Sequence, residues 1–157
     1  MESKMKLAAK LSILAAGLLA SQFAFAANCS LTIDSNDAMQ FSTDALTVDA
    51  SCSEVELTLT HSGTLPRNAM GHNWVLATDA DAQAAYQDGM QAGIDNEYVK
   101  PGDTRVIAYT PVIGGGESTT ITFSLDQLEV GGKYTFFCSF PGHFALMKGQ
   151  FHVTDGG

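Results

Sequence analysis

Cys138-Ser139-Phe140-Pro141-Gly142-His143-Phe144-Ala145-Leu146-Met147 places a thiol, an imidazole and a thioether in one short run near the end of the chain. Cys138 ends the apolar run Tyr134 to Cys138, which reads as a strand, and Met147 begins the next one, with Pro141-Gly142 turning the chain between them. A lone His72 upstream, in Met70-Gly71-His72-Asn73-Trp74, opens another candidate strand and adds a second imidazole. Two imidazoles and a thiolate with a weak axial thioether form the ligand set of blue-copper electron-transfer sites. Soft donors suit Cu(I) and imidazole suits Cu(II), so little has to move between the two states. The chain is therefore read as holding one mononuclear redox copper on His72, Cys138, His143 and Met147.

Outward from this segment the pattern is mostly strand. Leu31 to Ile33, Glu54 to Thr60, His72 to Leu76, Arg105 to Thr110, Thr119 to Leu125 and Gly149 to Val153 alternate apolar and polar residues between Gly, Pro, Asn and Asp punctuation. Short antiparallel strands at this spacing predict an all-β sandwich or closed barrel. One helix is expected from about Asp79 to Gly93, with Asp79 as its cap, Ala82, Ala84 and Ala85 in its body, and Gly93 as its stop. Gly114-Gly115-Gly116 reads as a hairpin turn, since no helix or Lys-Ser/Thr follows to make it a phosphate loop.

The N-terminus reads as an export signal. Lys4, Lys6 and Lys10 precede an apolar run from Leu11 to Ala20, and Ala24-Phe25-Ala26 is a small-x-small cleavage signal. Cleavage is expected after Ala26, leaving residues 27–157 as a single domain. The apolar run is shorter than the roughly 20 residues of a membrane span, so no membrane insertion is expected. The full chain carries a charge of -9; the first 26 residues hold those three lysines against Glu2, so the remainder stands at about -11. That acidity argues against nucleic acid or an anionic membrane as a partner. Of the three cysteines, Cys29 and Cys52 flank a strand-turn-strand segment, and a bridge between them is the economical pairing, leaving Cys138 as the odd thiol. A free thiol in an oxidising compartment is a liability unless buried or metal-bound.

These residues resemble the azurins, bacterial members of the cupredoxin family. The likeness rests on the Cys29 and Cys52 pair, Asn36 to Phe41, Met70 to Leu76, Arg105 to Ala108 and Phe136 to Gly149. It implies a cupredoxin-like Greek-key β-sandwich with one inserted helix, and a monomeric periplasmic electron carrier that is not an enzyme. Its implied partners are c-type cytochromes and respiratory reductases. The resemblance also implies a weak contact from the Gly71 carbonyl to the metal. Backbone donors from Asn73 and Phe140 would bond the sulfur. An apolar docking collar around an exposed His143 would be built from Met39, Leu65, Met70, Met90, Phe140 and Ala145. Trp74 corresponds to a buried core tryptophan. His61 corresponds to a buried histidine beside the metal that is pH-linked in some azurins; core packing is the alternative account. His152, in the final strand, reads as surface. Phe144 stands where many azurins carry a small polar residue, which is expected to enlarge or reshape the collar, and Tyr109 stands where some have a surface histidine.

Other classes fit less well. A multicopper oxidase or nitrite reductase needs a second centre with extra histidines, and only His61 and His152 remain, on separate strands. A closed zinc site wants four strong Cys or His ligands. A Cys-His nucleophile would leave His72 and Met147 without a role.

Overall fold

A computed structural model describes residues 28–156; the expected export signal and its cleavage point lie outside them. In chain order the elements are β1 (Ser30–Asn36), β2 (Gln40–Phe41), β3 (Ala45–Asp49), β4 (Glu54–His61), α1 (Arg67–Met70), β5 (Val75–Thr78), α2 (Ala82–Ala92), β6 (Val106–Tyr109), β7 (Ser118–Ser124), β8 (Tyr134–Phe137) and β9 (Lys148–Thr154), with a short 3-10 helix at Ile94–Asn96. They form a four-stranded sheet, β2-β1-β4-β7, and a five-stranded sheet, β3-β9-β8-β5-β6. Strands distant in sequence lie side by side, as in a Greek-key sandwich.

The barrel alternative is corrected: the strand pairings stay within two separate sheets. So is the all-antiparallel expectation, because β1 runs parallel to β4 and β3 parallel to β9. β2 and β3 went unread because the first is two residues long and the second follows a polar stretch. The three glycines make a turn, with Glu117 N–H donating to the Gly114 carbonyl at 3.1 Å, but that turn leads from the larger sheet to the smaller one and closes no hairpin.

Alternation decides which side chains meet between the sheets. Val55, Leu57 and Leu59 of β4 point inward, as do Phe151 and Val153 of β9, while Lys148, Gln150, His152 and Thr154 face out. These residues pack around Trp74, whose ring lies 5.8 Å from Phe123 and 6.1 Å from Phe136 and Phe151. Trp74 is fully buried, and its Nε1 has no hydrogen-bond partner. All four residues of β8 are buried, as are Val75, Leu76 and Ala77 of β5, because α2 covers the outer face of these central strands through Ala82, Ala85 and Tyr86. Strands covered on both faces lose the period of two.

The helix ends at Gly93 as expected, but its N-cap is Asp81, with no side-chain cap bond. Asp79 instead accepts a hydrogen bond from Thr135 Oγ1 at 2.7 Å, tying the helix entry to β8.

Cys29 and Cys52 are bridged, 23 residues apart. Replacing both with Ser is expected to lower the unfolding free energy by about 3 kcal/mol, since the open chain regains loop entropy; a urea titration of the two proteins measures it.

Candidate metal centre

At one end of the sandwich the hydrogen-bonded ladder between β5 and β8 stops with Val75 opposite Phe137. Continuing that register brings Asn73 opposite Ser139, and here a side chain replaces the ladder. Asn73 Oδ1 accepts from Ser139 N–H at 2.8 Å, and its Nδ2 donates to Ser139 Oγ at 2.7 Å and to the Glu97 carbonyl at 2.8 Å. The two strand ends are thereby splayed but still fastened. His72 leaves one of them and Cys138 the other.

His72 is held on three sides. Its backbone exchanges hydrogen bonds with Ile113, N–H to O at 3.0 Å and O from N–H at 2.8 Å. Its Nε2 donates to the Asn36 carbonyl at 2.9 Å, which leaves the lone pair of Nδ1 facing the pocket. Gly71 before it is buried where any side chain would meet the Arg67 carbonyl and Val112. The Val112 peptide is itself clamped: its carbonyl accepts from Arg67 Nε at 2.9 Å and its N–H donates to Glu97 Oε2 at 2.6 Å, while Arg67 and Glu97 pair at 2.7 Å. Glu97 and Tyr98 both adopt left-handed backbone, φ 57° and 52°, which this web of contacts sustains.

The loop after Cys138 is a series of tight turns. His143 N–H donates to the Phe140 carbonyl at 3.0 Å, Met147 N–H to the His143 carbonyl at 2.8 Å, and Cys138 N–H to the Met147 carbonyl at 2.9 Å. Gly142 takes φ 84°, a left-handed conformation that favours glycine. The result gathers the expected donors. His72 Nδ1, His143 Nδ1 and Cys138 Sγ lie 3.2, 3.6 and 3.8 Å apart, and all three residues are buried. Met147 is fully buried and packs with Cys138, Phe140 and Val112. Backbone N–H groups of Asn73 and Phe140 face the sulfur and stabilise its charged form.

The donor spacing fits a metal. A point equidistant from three corners with these separations lies about 2.1 Å from each, within the usual range of metal–nitrogen and metal–sulfur bonds. Two borderline nitrogens, one soft sulfur and a neighbouring thioether match copper in both oxidation states. Burial pushes the Cys138 thiol up to about 12, against the pull of the two N–H donors, and pushes His72 and His143 down to about 4. The pocket therefore holds neutral groups at neutral pH, and a cation that binds there takes the place of the thiol proton.

The remaining sequence-read residues divide. His61 continues the inward row of β4, and its ring stacks on His72 with centroids 4.6 Å apart. Its Nδ1 accepts from Gly63 N–H at 3.0 Å and its Nε2 donates to the Met70 carbonyl at 2.9 Å, so both nitrogens are satisfied. Trp74 and His152 lie where expected, one in the core and one at the surface. The collar is corrected in three places. His143 is only 3% exposed, covered by Phe140 stacked at 4.6 Å. Met90 packs against the cluster under α2, whereas Met39 packs with Cys138, Phe140 and Met147. Phe144 is buried against Tyr86 and Phe137 and so does not widen the apolar surface. Leu65 and Ala145 are exposed, Met70 and Met39 partly so, and Leu146, not anticipated, is exposed to 63%. Asn36, Glu97, Val112 and Ser139 were also missed. Their roles run through backbone atoms or long-range hydrogen bonds, although Ser139 and Val112 sit beside legible residues.

Residues 27–154 match the family model of copper-binding proteins of the plastocyanin/azurin family. The chain is 58% identical over 123 residues to azurin of Pseudomonas denitrificans, covering 78% of this chain and 96% of that one. It is 53% identical over 139 residues to azurin of Pseudomonas aeruginosa, covering 88% and 90%. Among solved structures, it is similar to azurin Az-iso2 of the obligate methylotroph Methylomonas sp. strain J, with a TM-score of 0.77 and 47% identity over 80% of this chain and 97% of that one.

The burial of the ligands sets a pH profile for the metal-free protein. His72 and His143 sit below their ordinary 6.5, so the unfolded chain binds more protons, and the stability they contribute is present above 6.5 and lost as pH falls towards about 4. Cys138 sits above its ordinary 9.0, so its contribution is present below 9.0 and lost as pH rises towards about 12. Arg105 holds Asp103 and Asp88 below their ordinary 3.8, so their contribution goes only in stronger acid. Thermal unfolding of the metal-free protein from pH 4 to 11 is expected to show a plateau between pH 6.5 and 9 and to fall by several degrees on the acid side.

Proposed function

Because the chain belongs to the plastocyanin/azurin family of copper-binding proteins, we propose that it shuttles single electrons between protein redox partners on one type 1 copper, in the periplasm. His72, Cys138 and His143 would hold it as strong ligands, with the Met147 thioether and the Gly71 carbonyl as weaker ones. The observation that carries this reading is the mutual placing of His72 Nδ1, His143 Nδ1 and Cys138 Sγ, within 4.8 Å of one another in a buried pocket.

Copper supplies the one-electron Cu(I)/Cu(II) couple when bound. Everything else belongs to the chain. His72 and His143 offer neutral imidazoles, and the Asn36 carbonyl fixes the tautomer of the first. The N–H groups of Asn73 and Phe140 stabilise negative charge on sulfur. Val112, Phe140 and Met147 exclude water. Donors buried and fixed by the fold have little to rearrange, and this supports a carrier and not an enzyme.

Docking is assigned to the apolar face around the ligand loop, where Leu65, Met39, Met70, Ala145 and Leu146 reach solvent. Methionine and leucine give adaptable, short-lived contacts. Partners of the c-type cytochrome or respiratory reductase kind belong to this reading. His61 joins it as the proposed pH-linked neighbour, its ring stacked on His72 and its Nδ1 accepting from Gly63 N–H. Export with cleavage after Ala26 completes the proposal, and the N-terminal residue of protein recovered from the periplasm reads it directly.

The deciding measurement is the visible spectrum with one equivalent of Cu(II). An intense blue thiolate-to-copper band is expected in the parent and its complete loss in Cys138→Ser; a colourless parent would overturn the reading.

A further inference from the structure

The loop that carries His143 is gripped from behind by α2. Tyr86, on the buried face of that helix, accepts a hydrogen bond at its hydroxyl from Gly142 N–H at 3.0 Å. Its ring stacks on Phe144, with centroids 4.7 Å apart and planes 22° apart. Phe144 in turn meets the edge of Phe137 at 5.2 Å and carries the Lys148 ammonium 4.9 Å above its ring. Gly142 and Phe144 are the two chain neighbours of His143, so one helix residue holds the ligand on both sides. Pro141, Ala145 and Leu146, the other residues of the turn, carry side chains that are exposed.

We propose that Tyr86 is a positioning residue of the copper centre. Acting with Phe144, it fixes the backbone on either side of His143, so that Nδ1 stands 3.6 Å from Cys138 Sγ. The proposal rests on the reading of His143 as a ligand. Phe140 stacks on the outer ring face of His143 and steadies the imidazole; Tyr86 steadies the peptide that bears it. Each side chain loses conformational freedom in the ligand-ready state, and the metal has correspondingly less ordering to impose.

Simple core packing of a helix would need only the ring of Tyr86, and Tyr86→Phe separates the two roles. That variant keeps the stack on Phe144 and removes the acceptor for Gly142. In the metal-free protein, exchange of the Gly142 amide is expected to speed up about fivefold, the worth of one net hydrogen bond. In the copper-loaded protein, release of the metal to a chelator is expected to speed up by a similar factor, with the urea midpoint lowered by no more than that one hydrogen bond accounts for. Phe144→Ser removes the stack and is expected to accelerate release up to about tenfold and to shift the blue band. Parent-like Gly142 exchange and copper release in Tyr86→Phe would overturn the proposal, as would release rates that merely follow global stability. A parent without a blue band would instead overturn the ligand reading beneath it, whatever the Gly142 amide does.

Discussion

Hiding two imidazoles and a thiol from water is costly unless every polar atom that does not face the pocket is paired, and much of this molecule is arranged around that requirement. The rear nitrogen of His72 is spent on Asn36. Asn73, fully buried, spends its amide on Ser139 and Glu97. The peptide of Val112, which roofs the sulfur, spends both its groups on Arg67 and Glu97. Of the buried histidines and cysteine, what remains unpaired points at one place, so the directional preference of the site is an outcome of satisfying its surroundings.

The sandwich makes this possible by ending two adjacent strands at the same height. β5 and β8 are the central pair of the larger sheet, buried on both faces, and their shared register continues into the site through Asn73 and Ser139. The ligands therefore inherit the rigidity of the best-packed part of the fold, with Trp74 and Phe136 directly beneath them. Placing a site on such elements holds its geometry more closely than a free loop could.

Much of this was legible. The four donors stood out by residue type and spacing, and β4 and β9 by alternation, while the burial of His61 came only from the family resemblance. Where reading failed, the missing information was three-dimensional. Parallel pairing of β1 with β4 leaves no mark on either strand. Asp79 has the chemistry of a cap, but Thr135, distant in sequence, takes its carboxylate. Phe144 looked like added surface because only the fold reveals Tyr86 behind it. Glu97 carried no signal at all, since its role depends on a left-handed backbone turn and on three partners from separate segments.

The position of β9 has a temporal consequence. This last strand lies between β3 and β8, so the larger sheet stays divided until the C-terminus has been made. Three of the four donors sit immediately before it, and none can be aimed until β9 docks and Cys138 N–H finds the Met147 carbonyl. A chain not yet made as far as β9 therefore has no closed pocket for these donors. The Cys29–Cys52 bridge, drawn from residues made before Cys138, occupies the two thiols with which Cys138 could otherwise pair. Chain order and bridge together leave Cys138 a free thiol when the pocket closes around it.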